Sequence, residues 1–222
     1  GAGDVNGDGF DDVIVGHYRF GVAPEQREGR ALVYLGSALG PAQTPAWTVE
    51  SNQSFAEYGV TVAGAGDVNN DGFGDVIVGA WQWDGAFPDS GHAWVYLGSA
   101  GGLSTTATWS FDGENVIAGL GWTVAGVGDM NADGFDDVAA GSANYGSDSA
   151  PPAFQGRAYV FYGGTSGVEP TPSRIYQSDQ ADAHAGRGLG AAGDVDNDGY
   201  DDLAMGAYFF DGGEGRAYVH RG

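Results

Sequence analysis

The chain has 222 residues, 42% of them hydrophobic, and carries a net charge of −22. This content is sufficient to bury a core, while the acidity argues against nucleic acid or an anionic membrane surface as a partner, because both are recognised through basic patches. The sequence contains no cysteine, and no apolar run approaches the roughly 18 residues that a membrane span needs.

The first element along the chain is an acidic nine-residue loop that occurs four times. Its copies start 63, 62 and 65 residues apart, so the loop belongs to a repeated structural unit. Oxygen-bearing side chains occupy loop positions 1, 3, 5 and 9, and glycine occupies position 6, where it permits a sharp turn. The copies are DVNGDGFDD from Asp4, DVNNDGFGD from Asp67, DMNADGFDD from Asp129 and DVDNDGYDD from Asp194.

Short β-rich runs follow each acidic loop in the same order. The first spans residues 12–16, 75–79, 137–141 and 202–206, and the second spans residues 29–36, 91–98, 156–163 and 215–221. A third lies near Trp47, Trp109 and Tyr176, and a fourth precedes the next acidic loop at residues 60–63, 122–125 and 188–191. Regularly spaced short strands with glycine-rich turns predict an all-β fold, and no helical periodicity of useful length is present.

Four short strands per unit of about 63 residues are typical of a β-propeller blade. The acidic loop and its flanking strands resemble the FG-GAP repeats of integrin alpha-subunit propellers and of bacterial proteins that share the repeat. The likeness covers essentially the whole chain, although other residues replace the aromatic phenylalanine of "FG" and the proline of "GAP". The "FG" positions are Tyr58-Gly59, Leu120-Gly121 and Ala185-Gly186, and the "GAP" positions begin at Gly16, Gly79, Gly141 and Gly206.

The resemblance implies that each acidic loop joins the first and second strands of a blade. The chain would then be one propeller segment of three, four, four and three strands, with repeats at residues 1–50, 51–113, 114–178 and 179–222. The first repeat would lack its first strand and the fourth its last. Since propellers of this family usually have seven blades, we expect part of a larger ring. An oligomer that closes the ring by pairing at open sheet edges is the alternative.

The loop spacing predicts calcium sites. Calcium takes six to eight oxygen ligands, and alternating Asp and Asn side chains with the position-7 carbonyl can converge on one ion. We predict about four Ca²⁺ ions with a structural role, one per repeat. The predicted ligands are Asp4, Asn6, Asp8, Phe10 (carbonyl) and Asp12; Asp67, Asn69, Asp71, Phe73 (carbonyl) and Asp75; Asp129, Asn131, Asp133, Phe135 (carbonyl) and Asp137; and Asp194, Asp196, Asp198, Tyr200 (carbonyl) and Asp202.

A solvated turn, a magnesium site and an EF-hand are the alternative interpretations of the acidic loops. A solvated turn does not need several converging carboxylates, and magnesium favours retained water and strict octahedral geometry. An EF-hand needs an acid at position 12, where this chain has Val15, Val78, Ala140 and Met205. The aspartates at position 8, which are Asp11, Asp136 and Asp201, are expected to be solvated.

The variable loops after the second strands carry a predicted ligand-binding surface. Strand alternation puts them on the face opposite the acidic loops, and the resemblance implies that this face binds ligands. Their aromatic residues suit a protein or glycan partner, while packing between blades is the alternative reading. The predicted ligand-binding residues are Tyr18, Phe20, Trp81, Trp83, Tyr145 and Phe209.

Nothing in the sequence indicates catalysis. There is no cysteine nucleophile and no Gly-x-Ser-x-Gly elbow, and His92 aligns with Arg30, Arg157 and Arg216 as a blade position. We therefore expect a calcium-binding recognition or adhesion module, not an enzyme, located outside the cell or at its surface. A carbohydrate-binding propeller and a non-catalytic domain of a secreted hydrolase are the alternatives.

Overall fold

The computed structural model describes residues 1–147 and 153–222. These residues form fourteen β-strands and one 3₁₀ turn at Phe210–Gly212, without an α-helix. The predicted all-β fold is confirmed. No helix within the described ranges is long and apolar enough to cross a membrane.

The strands form four antiparallel sheets, which we call blades 1 to 4. The sheets contain three, four, four and three strands, as predicted. Blade 1 contains β1 (Val13–His17), β2 (Arg30–Tyr34) and β3 (Trp47–Glu50), and blade 2 contains β4 (Thr61–Gly66), β5 (Asp75–Ala80), β6 (His92–Tyr96) and β7 (Trp109–Asp112). Blade 3 contains β8 (Leu120–Gly128), β9 (Asp137–Ser142), β10 (Arg157–Phe161) and β11 (Arg174–Gln177), and blade 4 contains β12 (Ala185–Gly193), β13 (Asp202–Ala207) and β14 (Arg216–His220).

The strands that precede the acidic loops are longer than the sequence predicted. Apolar runs marked only residues 122–125 and 188–191, whereas β8 and β12 have nine residues each. The additional residues include glycines beside register shifts in the pairing with β9 and β13. Glycine carries no hydrophobic signal, so an apolar pattern ends before the backbone pairing does.

Consecutive blades pack face to face through alternating side chains of their strands. Val76 and Val78 of β5 pack against Ile14 and Val33 of blade 1, while Ile77 on the opposite face of β5 packs towards blade 3. Successive side chains of a strand point to opposite faces, so each blade contributes to two interfaces. The core is therefore a series of layers between blades.

Among the described residues, none covers the outer face of blade 1. Val13 and Val15 of β1 are 41% and 42% exposed, whereas their repeat equivalents in β5, Val76 and Val78, are completely buried against blade 1. At the other end of the series, Val219 of β14 is 55% exposed. Both end faces thus present valines at strand positions that are buried in the interfaces between internal blades.

Candidate metal centres and the opposite loop face

The four acidic loops lie at the same end of the blades, and loop position 9 either begins the next strand (β5, β9 and β13) or directly precedes it (β1). In the first loop, the buried carboxylate of Asp12 accepts the N–H of Val5 at 2.9 Å and the N–H of Gly36 at 2.7 Å. The same two bonds recur at the other three position-9 residues, Asp75, Asp137 and Asp202. Position 9 therefore ties each acidic loop to the residues just beyond the second strand after it, which is β2, β6, β10 or β14.

The carboxylate at position 1 folds the rest of the loop around itself. Asp4 Oδ1 accepts the N–H of Gly7 and Asp4 Oδ2 accepts the N–H of Gly9, each at 2.7 Å. Although desolvation opposes the effect, these backbone N–H groups hold the pKa of Asp4 below its usual value. Glycine at position 6 has φ between +87° and +95° in all four loops, a conformation that other L-residues rarely adopt.

Position 3 distinguishes the fourth loop, where it is Asp196, from the others, where it is asparagine. In the first three loops an asparagine amide donates to the aspartate two residues later, as Asn69 Nδ2 does to Asp71 Oδ2 at 2.9 Å. In the fourth loop, oxygens of Asp194, Asp196 and Asp202 all lie within 4.8 Å of one another. The donor set of every loop consists of carboxylate and amide oxygens, which fits a hard divalent cation.

Burial disfavours the charged form of the position-9 carboxyl group in the second and third loops. Burial, opposed by two backbone hydrogen bonds and reinforced by the carboxylates of Asp67 and Asp71, raises the pKa of Asp75 to about 7. Burial likewise raises the pKa of Asp137 to about 7, next to Asp129 and Asp133. A bound dication would counteract this shift, because a nearby opposite charge favours ionised carboxylates.

The expectation that position 8 is solvated is wrong for two of its three aspartates. Asp136 Oδ2 accepts the backbone N–H of Asp67 at 2.8 Å, and Asp201 Oδ2 accepts that of Asp129 at 3.1 Å. Each bond joins a loop to the loop of the preceding blade. Only Asp11, in the first loop, is exposed as expected.

At the opposite end of the blades, three of the six predicted ligand-binding residues pack onto the first residue of the next strand. The Arg30 guanidinium lies 3.9 Å from the Phe20 ring centroid, and the Arg157 guanidinium lies 3.5 Å from that of Tyr145. The Trp83 ring lies 5.8 Å from His92. This repetition favours the packing alternative for these residues and agrees with the prediction that His92 occupies a blade position.

The other three predicted residues are placed differently. Trp81 donates from Nε1 to Glu57 Oε2 at 2.7 Å and packs edge-on against Trp122 at 4.3 Å. Tyr18 is exposed beside Arg19, whose guanidinium lies 5.3 Å from its ring centroid. Phe209 is 47% exposed and packs against Tyr208 at 5.6 Å.

Sequence reasoning did not select Arg187, which also lies on this face. The guanidinium of Arg187 lies 4.3 Å from the ring centroid of Trp122 and 4.6 Å from that of Tyr208. We call Trp122, Arg187 and Tyr208 the aromatic–arginine patch. Trp122 and Arg187 both directly follow the glycine of an "FG" pair, and this shared repeat position is the signal that could have identified them.

Antiparallel blades packed in series, each with an acidic hairpin loop at the same end, define a β-propeller segment built from repeats. Two family descriptions match the chain: FG-GAP repeat over residues 120–161 and 185–220, and FG-GAP-like repeat over residues 4–78. The chain belongs to the FG-GAP repeat family, and it is an integrin alpha-like propeller segment.

Similar proteins include several integrin alpha subunits. Integrin alpha-V of Gallus gallus is 30% identical over 218 residues, which cover 94% of this chain and 20% of the relative. Integrin alpha-IIb of Mus musculus is 32% identical over 171 residues, which cover 74% of this chain and 16% of the relative. The chain thus spans about a fifth of the length of these relatives.

Proposed function

We propose that this chain is a calcium-binding recognition or adhesion module of an extracellular protein. The observation that carries the proposal is the fourfold repetition of an oxygen-only donor set, with three carboxylates brought within 4.8 Å in the fourth loop. Calcium suits this set because it accepts many oxygen ligands in flexible geometry. In each loop the side chains at positions 1, 3, 5 and 9 and the carbonyl at position 7 would hold the ion.

Calcium would act on the fold by neutralising the loops. The loops contain 16 of the 30 acidic residues, and four dications would reduce the net charge from −22 to −14. At millimolar calcium and a dissociation constant ten-fold lower, each ion would stabilise the folded state by about 1.4 kcal/mol. Four such sites are comparable to the whole stability of a domain. Sites of this strength suit the millimolar calcium outside cells, which supports an extracellular location.

Thermal melting tests the calcium sites. The melting temperature is measured with CaCl₂, with MgCl₂ and with chelator, and light scattering on the same samples reports association. We expect a calcium-specific rise in the melting temperature. Asp71→Ala should remove about one site's share of that rise, whereas Asp11→Ala, which changes an exposed non-ligand in another acidic loop, should retain it. A melting temperature that does not respond to calcium would contradict the proposal.

The partner surface is the loop face opposite the acidic loops. Its support is the aromatic–arginine patch together with the exposed ring of Phe209, because exposed aromatic and arginine side chains are the usual anchors of protein interfaces. The integrin alpha relatives support an adhesion role, and we propose that the module recognises its partner without catalysis. Loss of partner binding in Tyr208→Ala, with unchanged melting, tests this surface.

A carbohydrate ligand is the second candidate. The observation that favours it is the exposure of adjacent rings at Tyr208 and Phe209, 45% and 47%, since sugars stack on exposed aromatic faces. A glycan array on the calcium-loaded protein separates the candidates. Specific hits that disappear in Phe209→Ala support the carbohydrate ligand, and an array without hits counts against it.

Both end faces of the segment are proposed to be covered by further blades of the same type. Val13 and Val15 are exposed where their equivalents Val76 and Val78 are buried between blades. The covering blades would come either from the same polypeptide in a larger ring or from a second copy that pairs at the open edges. Light scattering over a concentration series distinguishes these sources, because only the second one gives a concentration-dependent mass.

A further inference from the structure

Neighbouring acidic loops are joined by paired hydrogen bonds at position 8. Asp136 Oδ2 accepts the N–H of Asp67 at 2.8 Å, while the N–H of Asp136 donates to the Asp67 carbonyl oxygen at 3.2 Å. At the next junction, Asp201 Oδ2 accepts the N–H of Asp129 at 3.1 Å and its N–H donates back at 3.0 Å. In both cases the residue held from two sides is position 1 of the preceding loop.

Position 1 is the residue on which its own loop closes. The carboxylate of Asp67 accepts the N–H of Asp71 at 3.0 Å and the N–H of Gly72 at 2.8 Å. Asp67 is also a predicted calcium ligand. The carboxylate of Asp136 therefore holds the backbone of a ligand residue in the neighbouring loop, while Asp136 itself is not among the predicted ligands.

The residue before position 1 makes room for this carboxylate. Gly66 and Gly128 have φ of +83° and +74°, and a Cβ on either one would overlap the carboxylate of Asp136 or Asp201, respectively. A side chain at these positions would therefore displace the position-8 carboxylate. The glycine and the aspartate lie in adjacent repeats, so the arrangement is built by two blades together.

The junction between blades 1 and 2 lacks the carboxylate. Position 8 of the second loop is Gly74, whose N–H donates to the Asp4 carbonyl oxygen at 2.8 Å. The backbone half of the pairing is thus retained without the side-chain half. In the first loop, Asp11 has the position-8 carboxylate, but no acidic loop precedes it in the described chain. The molecule therefore contains loop pairs with the position-8 carboxylate bond and one loop pair without it.

We propose that Asp136 and Asp201 are positioning residues that couple the second, third and fourth acidic loops, so that each holds the preceding loop in its calcium-binding form. This inference rests on the proposed calcium binding. The physical reason is that groups hydrogen-bonded to ligand residues fix ligand geometry, and their removal typically weakens metal binding by about 10–100-fold. The first loop lacks this support, because Gly74 has no side-chain carboxylate to accept the N–H of Asp4.

Calcium titration calorimetry of Asp136→Ala tests the coupling with every predicted ligand side chain intact. We expect one of the sites to weaken roughly ten-fold. Asp11→Ala, the same change at the same loop position, should leave all the affinities unchanged. Asp136→Asn should recover most of the loss, because its side-chain oxygen still accepts the N–H of Asp67. A general loss of folding would instead appear as a lower melting temperature in chelator.

Two background variants assign the effect to a loop. In Asp71→Ala, which disables the second loop, Asp136→Ala should have no further effect on calcium affinity. In Asp133→Ala, which disables the third loop, the loss should persist. The opposite pattern would mean that Asp136 acts within its own loop and would overturn the inference. Equal titrations for Asp136→Ala and Asp11→Ala would also overturn it, whereas a parent chain that binds no calcium would overturn the proposed function as well.

Discussion

The backbone of Gly141 in blade 3 lies so close to Gly186 in blade 4 that a Cβ on Gly141 would overlap the Gly186 carbonyl oxygen. Gly206 occupies the equivalent position in blade 4, but there the nearest atom to an added Cβ is the Gly188 carbonyl oxygen at 3.9 Å. The two glycines share a repeat position and differ only in whether a following blade packs on them. Blade 4 thus presents a packing surface that no residue of the ranges 1–147 and 153–222 covers.

Gly141→Ala should destabilise the protein, and Gly206→Ala should not. The first change forces blade 4 away from blade 3, and overpacking of this kind costs about 1–3 kcal/mol. The second places a methyl group at ordinary contact distance and should leave the free energy of unfolding within about 0.5 kcal/mol. Chemical denaturation of the two variants checks this, and similar losses in both would contradict the assigned blade packing.

Tyr145→Ala should lower the melting temperature, whereas Phe209→Ala should leave it unchanged. Tyr145 is partly buried and supports the Arg157 guanidinium at 3.5 Å, an interaction of about 0.5–1 kcal/mol in addition to the lost packing. Phe209 is exposed and available to a partner. Thermal melting of both variants, followed by partner or glycan binding, separates the packing and recognition roles. Reduced binding in Phe209→Ala with unchanged melting is the expected combination.

Internal repetition is the reason why the fold and the places of the acidic loops in it could be predicted from one sequence. Four copies of the acidic loop at nearly constant spacing identify the blade, and the alternation around each loop identifies the strands. The aspartates of position 9 lie at the start of β5, β9 and β13, where the repeat pattern put them. Local sequence decides these features, because a hairpin loop and its flanking strands are contiguous in the chain.

Contacts between repeats could not be predicted in the same way. Asp136 and Asp67 are 69 residues apart, and nothing within the third loop alone indicates that its position 8 reaches the second loop. The aromatic–arginine patch likewise combines residues of blades 3 and 4. Packing geometry between blades determines these contacts, and a hydrophobic pattern records only that a face is buried, not which polar groups meet at its edge.

The calcium-dependent gain in stability should grow as the pH rises from about 5 to 8. In the metal-free protein, burial raises the pKa of Asp75 and Asp137 to about 7 from 3.8. The folded state then binds more protons than the unfolded state in this window. The stability that these two carboxyl groups contribute is therefore complete below their pKa in the unfolded state. It is lost as the pH rises through their pKa in the folded state.

Calcium binding requires ionised carboxylates, so the ion offsets this loss and releases protons when it binds. Melting temperatures with calcium and with chelator, measured across this pH range, give the gain directly, and histidine titrations common to both samples largely cancel in the difference. Proton release on calcium addition at pH 6, and much less at pH 9, provides an independent measurement. A gain that stays constant between pH 5 and 8 would contradict the role of these two carboxylates.

Asn69→Asp should give the second loop the all-carboxylate composition of the fourth. The change replaces an amide that donates to Asp71 Oδ2 at 2.9 Å by a fourth carboxylate in the loop, whereas Asp196 at this position in the fourth loop lies 2.9 Å from Arg221. In chelator, the free energy of unfolding of this variant should therefore fall by about 1 kcal/mol. Its calcium affinity should rise, because ligand charge tunes affinity. Asn70→Asp adds the same charge one residue away, outside the ligand pattern, and should not strengthen calcium binding. Equal calorimetric titrations for the two variants would argue against position 3 as a ligand.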